Sequence, residues 1–248
     1  MRYLILSDIH SNQEALEACV QRGKQAGYDA VLCCGDIVGY GPSPVEAIDG
    51  VRGLNSITIR GNHDRVAAGL DEATQFNPHA RHAVYWTRAI LPDSYRAYLA
   101  NLPVGPLQIT AESQLVHGAL TDEDDYIFTE ADADENFPLA NKSLTFFGHS
   151  HFPIVFCSEK KGTAFQAMNV EVDEYIMVKC EAGKRMLINP GSVGQPRDGD
   201  ARASFAIWDA DKLRIEFYRV EYDVKLTQEK MRAAGLSNYL IDRLAHGR

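Results

Sequence analysis

The sequence predicts an α/β (α+β) chain in which two sheets face each other beneath outer helices. Three observations carry this. Over the first 60 or so residues, apolar runs of strand length alternate with stretches of helical spacing. From Ile154 to Val220 the pattern is almost entirely short strands. Two further regions, at about 65–105 and from about 225 onward, are helical in period. At 248 residues the chain is expected to be one domain, 1–248, carrying a helical insertion in the first of those regions and a helical tail in the second.

Taken in order, Arg2–Ser7 is a first strand. Asn12 is placed to cap a helix over Gln13–Ala26, with Leu16, Cys19 and Val20 on one face and Gly27 to end it. Ala30–Cys34 is a second strand, Ser43–Val51 a helix entered through prolines, and Ser56–Ile59 a third strand. Pro78–Leu91 and Asp93–Leu102 are expected helices, interrupted by Pro92 and Pro103. Leu107–Thr110, Gln114–Val116 and Leu144–Phe147 are short strands. Then follow Val155–Cys157, Ala164–Met168, Ile176–Val178, Met186–Ile188, Phe205–Trp208 and Leu213–Tyr218. Two helices close the chain, the second with Leu236, Leu240 and Leu244 at i, i+4 spacing.

Acids number 34 and bases 25, a net charge of −9, while 45% of residues are apolar and 24% charged. This excludes a disordered tail, a collagen-like fibre and a small disulfide scaffold. No apolar run approaches the roughly 20 residues needed to span a bilayer. The opening apolar stretch is too short for a signal peptide, so the expected location is the cytoplasm. Between Ala97 and Asn141 there are nine acids and no Lys or Arg. The segment 121–135 within it is expected to be a solvated acidic loop near the rim of any site formed by His117, where it would disfavour long polyanions. A general nucleic-acid binder would carry a basic field instead. The five cysteines form no C-x-x-C pair and are expected to be buried, reduced thiols.

The histidines carry the chemistry. Five of the eight, His10, His63, His117, His149 and His151, fall at expected strand ends; His79, His82 and His246 fall in expected helices with no ligand-type neighbours. Asp8-Ile9-His10 follows the first strand, and alternation would point both polar side chains the same way. Gly35-Asp36 follows the second strand, with a glycine that permits a sharp turn. Gly61-Asn62-His63-Asp64 follows the third. Val116-His117-Gly118 and Gly148-His149-Ser150-His151 each follow an apolar run. Taken singly, each fits a turn or cap as well as a ligand. Together they set ligand-type residues after five strand candidates, the pattern of a metal-binding cleft.

The series Asp8-x-His10, Gly35-Asp36, Gly61-Asn62-His63-Asp64, His117 and Gly148-His149-x-His151 resembles the calcineurin-like metallophosphoesterase superfamily, in the family's order. The resemblance implies two packed mixed β-sheets flanked by helices and a dinuclear metal site at the strand ends. It implies that Asp8, His10 and His151 hold one ion, that Asn62, His117 and His149 hold the other, and that Asp36 bridges them. His63 would act on the leaving group as general acid. Two cations about 3.5–4 Å apart clamp phosphoryl oxygens, and a water held between them ionises near neutral pH to become the nucleophile. The donor types suit Mn, Fe, Zn, Co or Ni rather than Ca or Mg, with Mn or Fe favoured.

One departure matters. Gly35-Asp36 is followed by Ile37-Val38-Gly39-Tyr40-Gly41-Pro42, without the Asp and Arg usual in the protein-phosphatase branch. That argues against a phosphoprotein substrate. The run Asn189-Pro190-Gly191-Ser192-Val193-Gly194-Gln195-Pro196-Arg197 resembles a loop of the small bacterial and archaeal phosphodiesterases of the superfamily. Arg197 is therefore a candidate to grip phosphate, and Tyr40 a candidate wall of the site. The expected function is a metal-dependent phosphodiesterase or phosphatase acting on a small phosphoester. The alternatives are a catalytically silent regulatory module on the same fold and a dinucleoside polyphosphate hydrolase. A membrane or nucleic-acid partner is not expected; homo-oligomerisation is left open.

Overall fold

Strand β1 (Arg2–Leu6) divides its side chains between two cores. Leu4 and Leu6 enter one, Tyr3 and Ile5 the other, as the period of two in an extended chain requires. The same division runs through β2 (Ala30–Cys33), where Val31 and Cys33 take the first side and Leu32 the second. Between them α1 (Gln13–Ala26) has the bounds expected from its spacing. The Asn12 side chain accepts from the Ala15 N–H, and Gly27 leaves the helix at φ 83°.

The computed structural model describes residues 1–158, 165–169, 175–180 and 183–248. After β2 come α2 (Pro44–Gly53), β3 (Ile57–Thr58), α3 (Asn62–Ala67), α4 (Pro78–Ile90), α5 (Asp93–Ala100), β4 (Leu107–Gln108), β5 (Ser113–Leu115) and α6 (Glu130–Asn136). The chain continues through β6 (Leu144–Phe146), β7 (Pro153–Ser158), β8 (Phe165–Asn169), β9 (Tyr175–Lys179), β10 (Arg185–Pro190), β11 (Ala203–Asp209) and β12 (Arg214–Val220). It ends in α7 (Val224–Ala233) and α8 (Asn238–Leu244).

The strands form two six-stranded sheets, ordered β3-β2-β1-β11-β12-β9 and β4-β5-β6-β10-β7-β8. Both are mixed: β1, β2 and β3 run parallel in one, and β5, β6 and β10 in the other, with antiparallel partners beside them. Ile5, Leu32, Phe217 and Trp208 of the first sheet meet Phe146, Val155 and Ile188 of the second in the central core. The first sheet's other face is covered by α1 and α2 through Leu16, Ile48 and Val51. The second sheet's outer face packs Phe147, Phe156 and Leu187 on Ile127, Ala133 and Phe137, around α6. This is the α/β arrangement of two facing mixed sheets under helices that the sequence predicts. Each fully buried Phe contributes about 1.5–3 kcal/mol of transfer free energy.

Three expectations need correction. Residues 62–67 form a helix, and the acidic stretch contains another, α6, started by Thr129, whose side chain accepts from Asp132 N–H. His246 lies in the turn beyond α8 rather than in a helix. Ala164, expected to open the strand now seen from Phe165, lies outside the described residues. Cys19, Cys33, Cys34 and Cys180 are buried thiols, whereas Cys157, also expected to be buried, is half-buried, and burial pushes Cys180 up to about 12. Among the described residues no helix is long and apolar enough to cross a membrane.

The sheets meet at the ends of their parallel strands. Gly148 N–H donates to His117 O at 2.7 Å, joining the ends of β6 and β5, and Val193 N–H donates to Ser7 O at 3.0 Å. A Cβ added at Gly148 would lie 2.0 Å from Ser7 Oγ, so only glycine lets β6 approach the end of β1. Gly148→Ala is expected to cost about 1–3 kcal/mol through overpacking, read as a fall of several degrees in Tm. Gly53→Ala, in open space at the end of α2, should leave Tm unchanged or slightly raised.

Candidate metal centre

Where the parallel strands stop, the backbone turns left-handed. Asp8 (φ 52°), His10 (49°), Asp36 (54°), Tyr40 (54°), His149 (65°) and His151 (64°) all sit there. A non-glycine residue in this region costs roughly 1–2 kcal/mol. Main-chain bonds between the loops hold it: Asp8 N–H to Gly35 O (3.1 Å), His10 N–H to Asp36 O (3.0 Å) and Ser11 N–H to Ile37 O (2.9 Å). The expected strand alternation at Asp8 and His10 is therefore not what aims them; the strand has ended, and the left-handed turns do so instead.

Tautomers follow from the backbone. His10 Nδ1 donates to Val38 O at 3.0 Å and His151 Nδ1 donates to Gln195 O at 2.6 Å. Their Nε2 atoms, left with lone pairs, face each other at 3.1 Å. Asp8 Oδ1 lies 3.6 Å from His151 Nε2, and Asp36 Oδ2 lies 3.6 Å from His10 Nε2. On the other side of Asp36, His117 Nδ1 donates to Cys34 O at 2.8 Å. Its Nε2 stands 3.2 Å from Asn62 Oδ1 and 3.5 Å from Asp36 Oδ2. His149 Nε2 donates to Asp124 O at 3.1 Å, which leaves Nδ1 for a cation. Two buried groups, Asp8-His10-His151 and Asp36-His117-His149, each bring their donor atoms within 4.8 Å, and a third joins His10, Asp36 and His63. Lone pairs directed at one another in a buried site fit a cation and little else.

The electrostatics agree. Burial drives His10 and His151 well below the usual imidazole range and takes His149 down to about 3, so all three are neutral donors. Burial lifts Asp8 to about 7. His117 is the exception: burial opposes its charge, but Asp36, with help from Asp8 and the Cys34 carbonyl, raises it to about 10.

The remaining candidates line one cavity of about 310 Å³ above this floor. Burial holds His63 near 4 against the pull of Asp36, whose Oδ1 accepts the His63 N–H at 2.9 Å. The His63 ring packs on Tyr40 and on Phe76, with centroids at 4.5 and 4.6 Å, and its Nδ1 has no partner among the described residues. Tyr40 packs edge-on to His10 at 4.6 Å. Arg197 reaches the Tyr40 hydroxyl at 3.4 Å and Gln195 Oε1 at 3.2 Å, and its Nε has no partner among the described residues. It is half-buried beside the cavity and no exposed turn residue. The structure thus gathers Asp8, His10, Asp36, Asn62, His63, His117, His149, His151, Arg197 and Tyr40 into one region.

Sequence reasoning missed several residues. Asp64 accepts N–H bonds from Gly61 and Val38, both at 3.1 Å, and so starts α3 and pins the Asp36 loop. Arg65 pairs with Asp71, Glu123 and Asp124, so the acidic segment is partly neutralised rather than simply solvated. Tyr126 stacks on His149 with centroids 4.0 Å apart. The absence of any base from 97 to 141 was a usable signal, because those acids must then find a cation from elsewhere in the chain.

Comparison with known proteins accords with this geometry. Residues 1–213 match the model of the Calcineurin-like phosphoesterase superfamily domain. A metallophosphoesterase from Sphaerobacter thermophilus is 40% identical, with a TM-score of 0.86 over 100% of this chain and 99% of that one. An uncharacterised protein of Methanocaldococcus jannaschii is 36% identical, covering 98% of this chain and 97% of its own. The phosphodiesterase YfcE of Escherichia coli is 24% identical over 87% of this chain and 91% of that protein.

Because His117 must give up its proton to become a donor, loading a divalent ion at pH 7 is expected to release about one to two protons per chain. Calorimetry in buffers of different ionisation enthalpy measures this directly. His117→Ala should remove about one proton from that count, and an unchanged count would show that His117 takes no part.

Proposed function

The chain belongs to the calcineurin-like phosphoesterase superfamily, and from that footing we propose that it hydrolyses small phosphodiesters with two divalent transition-metal ions, Mn or Fe favoured. The observation that carries this is the pair of imidazole Nε2 atoms 3.1 Å apart, each with its other nitrogen committed to a carbonyl. We assign Asp8, His10 and His151 to one ion and Asn62, His117 and His149 to the other, with Asp36 between them. When bound, such ions polarise the phosphoryl oxygens and acidify water. The whole chain is taken as one domain serving this site. The name of YfcE, a phosphodiesterase, favours a diester over a monoester.

The chain's own residues bind and orient. Arg197 is the cation offered to the phosphate. The two acids after it are engaged elsewhere: Asp198 by Arg219, and Asp200 by Arg202 at 2.7 Å. That leaves a guanidinium without a carboxylate beside the cavity, suited to bidentate contact with phosphate. Tyr40 supports it, with the guanidinium 5.7 Å above its ring. His63 serves the leaving group. Its ring is buried at the cavity wall and its backbone N–H donates to Asp36 Oδ1 at 2.9 Å, which places its side chain to give a proton to the departing oxygen. Phe76 and Tyr40 pack against its ring, each tilted at 44°.

A panel of phosphoesters tested with Mn-loaded protein should show turnover of small diesters and about two bound ions per chain by elemental analysis. Asp36→Asn should lower both metal content and turnover more than any other single ligand change, since Asp36 Oδ2 lies between the two ligand groups, 3.6 Å from His10 Nε2 and 3.5 Å from His117 Nε2. No uptake of metal and no turnover of any ester would overturn the reading. His63→Ala should keep both ions and slow an alkyl or nucleoside diester about 10²–10⁴-fold, while slowing a nitrophenyl diester far less, because nitrophenolate leaves without a proton. Equal slowing, or loss of metal, would make His63 a ligand or charge stabiliser instead.

A further inference from the structure

We propose that Arg65 is a positioning residue that holds one of the two cation sites together by clamping the turn 118–125 against it. The inference rests on the two-ion reading above. Arg65 lies on α3, three residues after Asn62, with its side chain only 15% exposed. Its guanidinium pairs with Asp71 at 3.1 Å, with Asp124 at 2.6 Å and with Glu123. Glu123 and Asp124 belong to a tight turn in which Ala119 N–H is shared between Asp122 O and Asp125 O, each at 3.1 Å. That turn presses on the residue after His117: a Cβ added at Gly118 would lie 2.3 Å from Glu123 O.

From the same turn come the contacts that orient His149. The Asp124 carbonyl accepts the His149 Nε2–H at 3.1 Å, and the Tyr126 ring stacks on the imidazole at 4.0 Å and 16°. His149 and the residue after His117 therefore lean on this turn, Arg65 ties it to the helix that carries Asn62, and the His117 ring itself is set by the Cys34 carbonyl. His10 and His151 are oriented independently, by the Val38 and Gln195 carbonyls. Removing Arg65 would leave Glu123 and Asp124 together in a segment without a base from 97 to 141. With the tether gone the turn would loosen and free the His149 ring, without reaching the His10–His151 pair.

The two ions should thus respond differently. Loss of a residue that orients a ligand typically costs 10–100-fold in metal affinity. Calorimetric titration of the metal-free full-length protein with Mn should show two ions in the wild type. Arg65→Ala should keep one at wild-type affinity and weaken the other about 10–100-fold. Arg65→Lys should recover part of the loss, since a single ammonium cannot span three carboxylates. The double variant Glu123→Gln/Asp124→Asn keeps the Asp124 carbonyl and changes only rim side chains, 27% and 48% exposed, so it tests the clamp even if Arg65→Ala folds poorly. It should reproduce the selective weakening. Raising salt to about 1 M should weaken the same ion in the wild type but not in the double variant. If the wild type binds two ions and both the Arg65→Ala and double variants bind both unchanged, or lose both equally, the clamp is overturned and the two-ion reading stands. A wild type that binds fewer than two overturns that reading and the clamp with it.

Discussion

Two imidazole nitrogens held 3.1 Å apart with lone pairs facing are poor neighbours unless positive charge lies between them. Much of the fold serves to keep them there. Each ring is fixed through its other nitrogen by a carbonyl in a different loop: Val38 follows β2 of the first sheet, and Gln195 lies on the connection from β10 of the second sheet to β11 of the first. Relaxing the contact would break one of these bonds in a buried site, where an unmade hydrogen bond costs about 1–3 kcal/mol. The backbone follows the same logic. Six site residues in left-handed conformations are tolerated because neighbouring loops fix each other's N–H and C=O groups, so local strain is offset by pairing between loops.

The buried acids extend the argument. Asp8, Asp36 and Asp64 are essentially inaccessible, and burial alone disfavours their charge. Each is answered differently. Asp64 accepts two backbone N–H groups and is lifted by burial to about 7, which suits a structural role. Asp8 accepts from Ser7 Oγ at 2.7 Å and from His149 N–H at 3.1 Å, coupling the end of β1 to the end of β6. Burial also opposes the charge of Asp36, yet His117 beside it holds it well below the ordinary carboxylate range. Three carboxylates of one type thus acquire distinct tasks from their surroundings alone.

Much of this was legible in the sequence. Asn12 as cap, the bounds of α1 and the change to short strands after Ile154 all follow from local chemistry and spacing. The ligand-type residues stood out because they recur where apolar runs stop. Other features were not legible, for physical reasons. Helix α3 has six residues, too few for periodicity to register. Helix α6 is hidden by its acidity, and its start depends on reciprocal bonds between Thr129 and Asp132. The aim of Asp8 and His10 could not come from strand alternation, since left-handed turns follow from how loops pack, which no dipeptide encodes.

Charge was the subtler case. Read along the chain, Arg197 precedes Asp198 and lies near Asp200, so local pairing would neutralise it, while Glu123 and Asp124 stand in a segment empty of bases. In space the partners are exchanged. Arg219 takes Asp198, Arg202 takes Asp200, and Arg65, nearly sixty residues upstream, takes Glu123 and Asp124. The cavity therefore faces one guanidinium without a carboxylate, and an acidic rim whose nearest charges are already met. An acidic net charge does not by itself repel an anionic substrate from such a site, because beyond roughly a Debye length of 8–10 Å the remaining acids are screened. The charge the cavity presents is decided by which few ion pairs the fold completes, and among the described residues lining it Arg197 is the arginine left without a carboxylate.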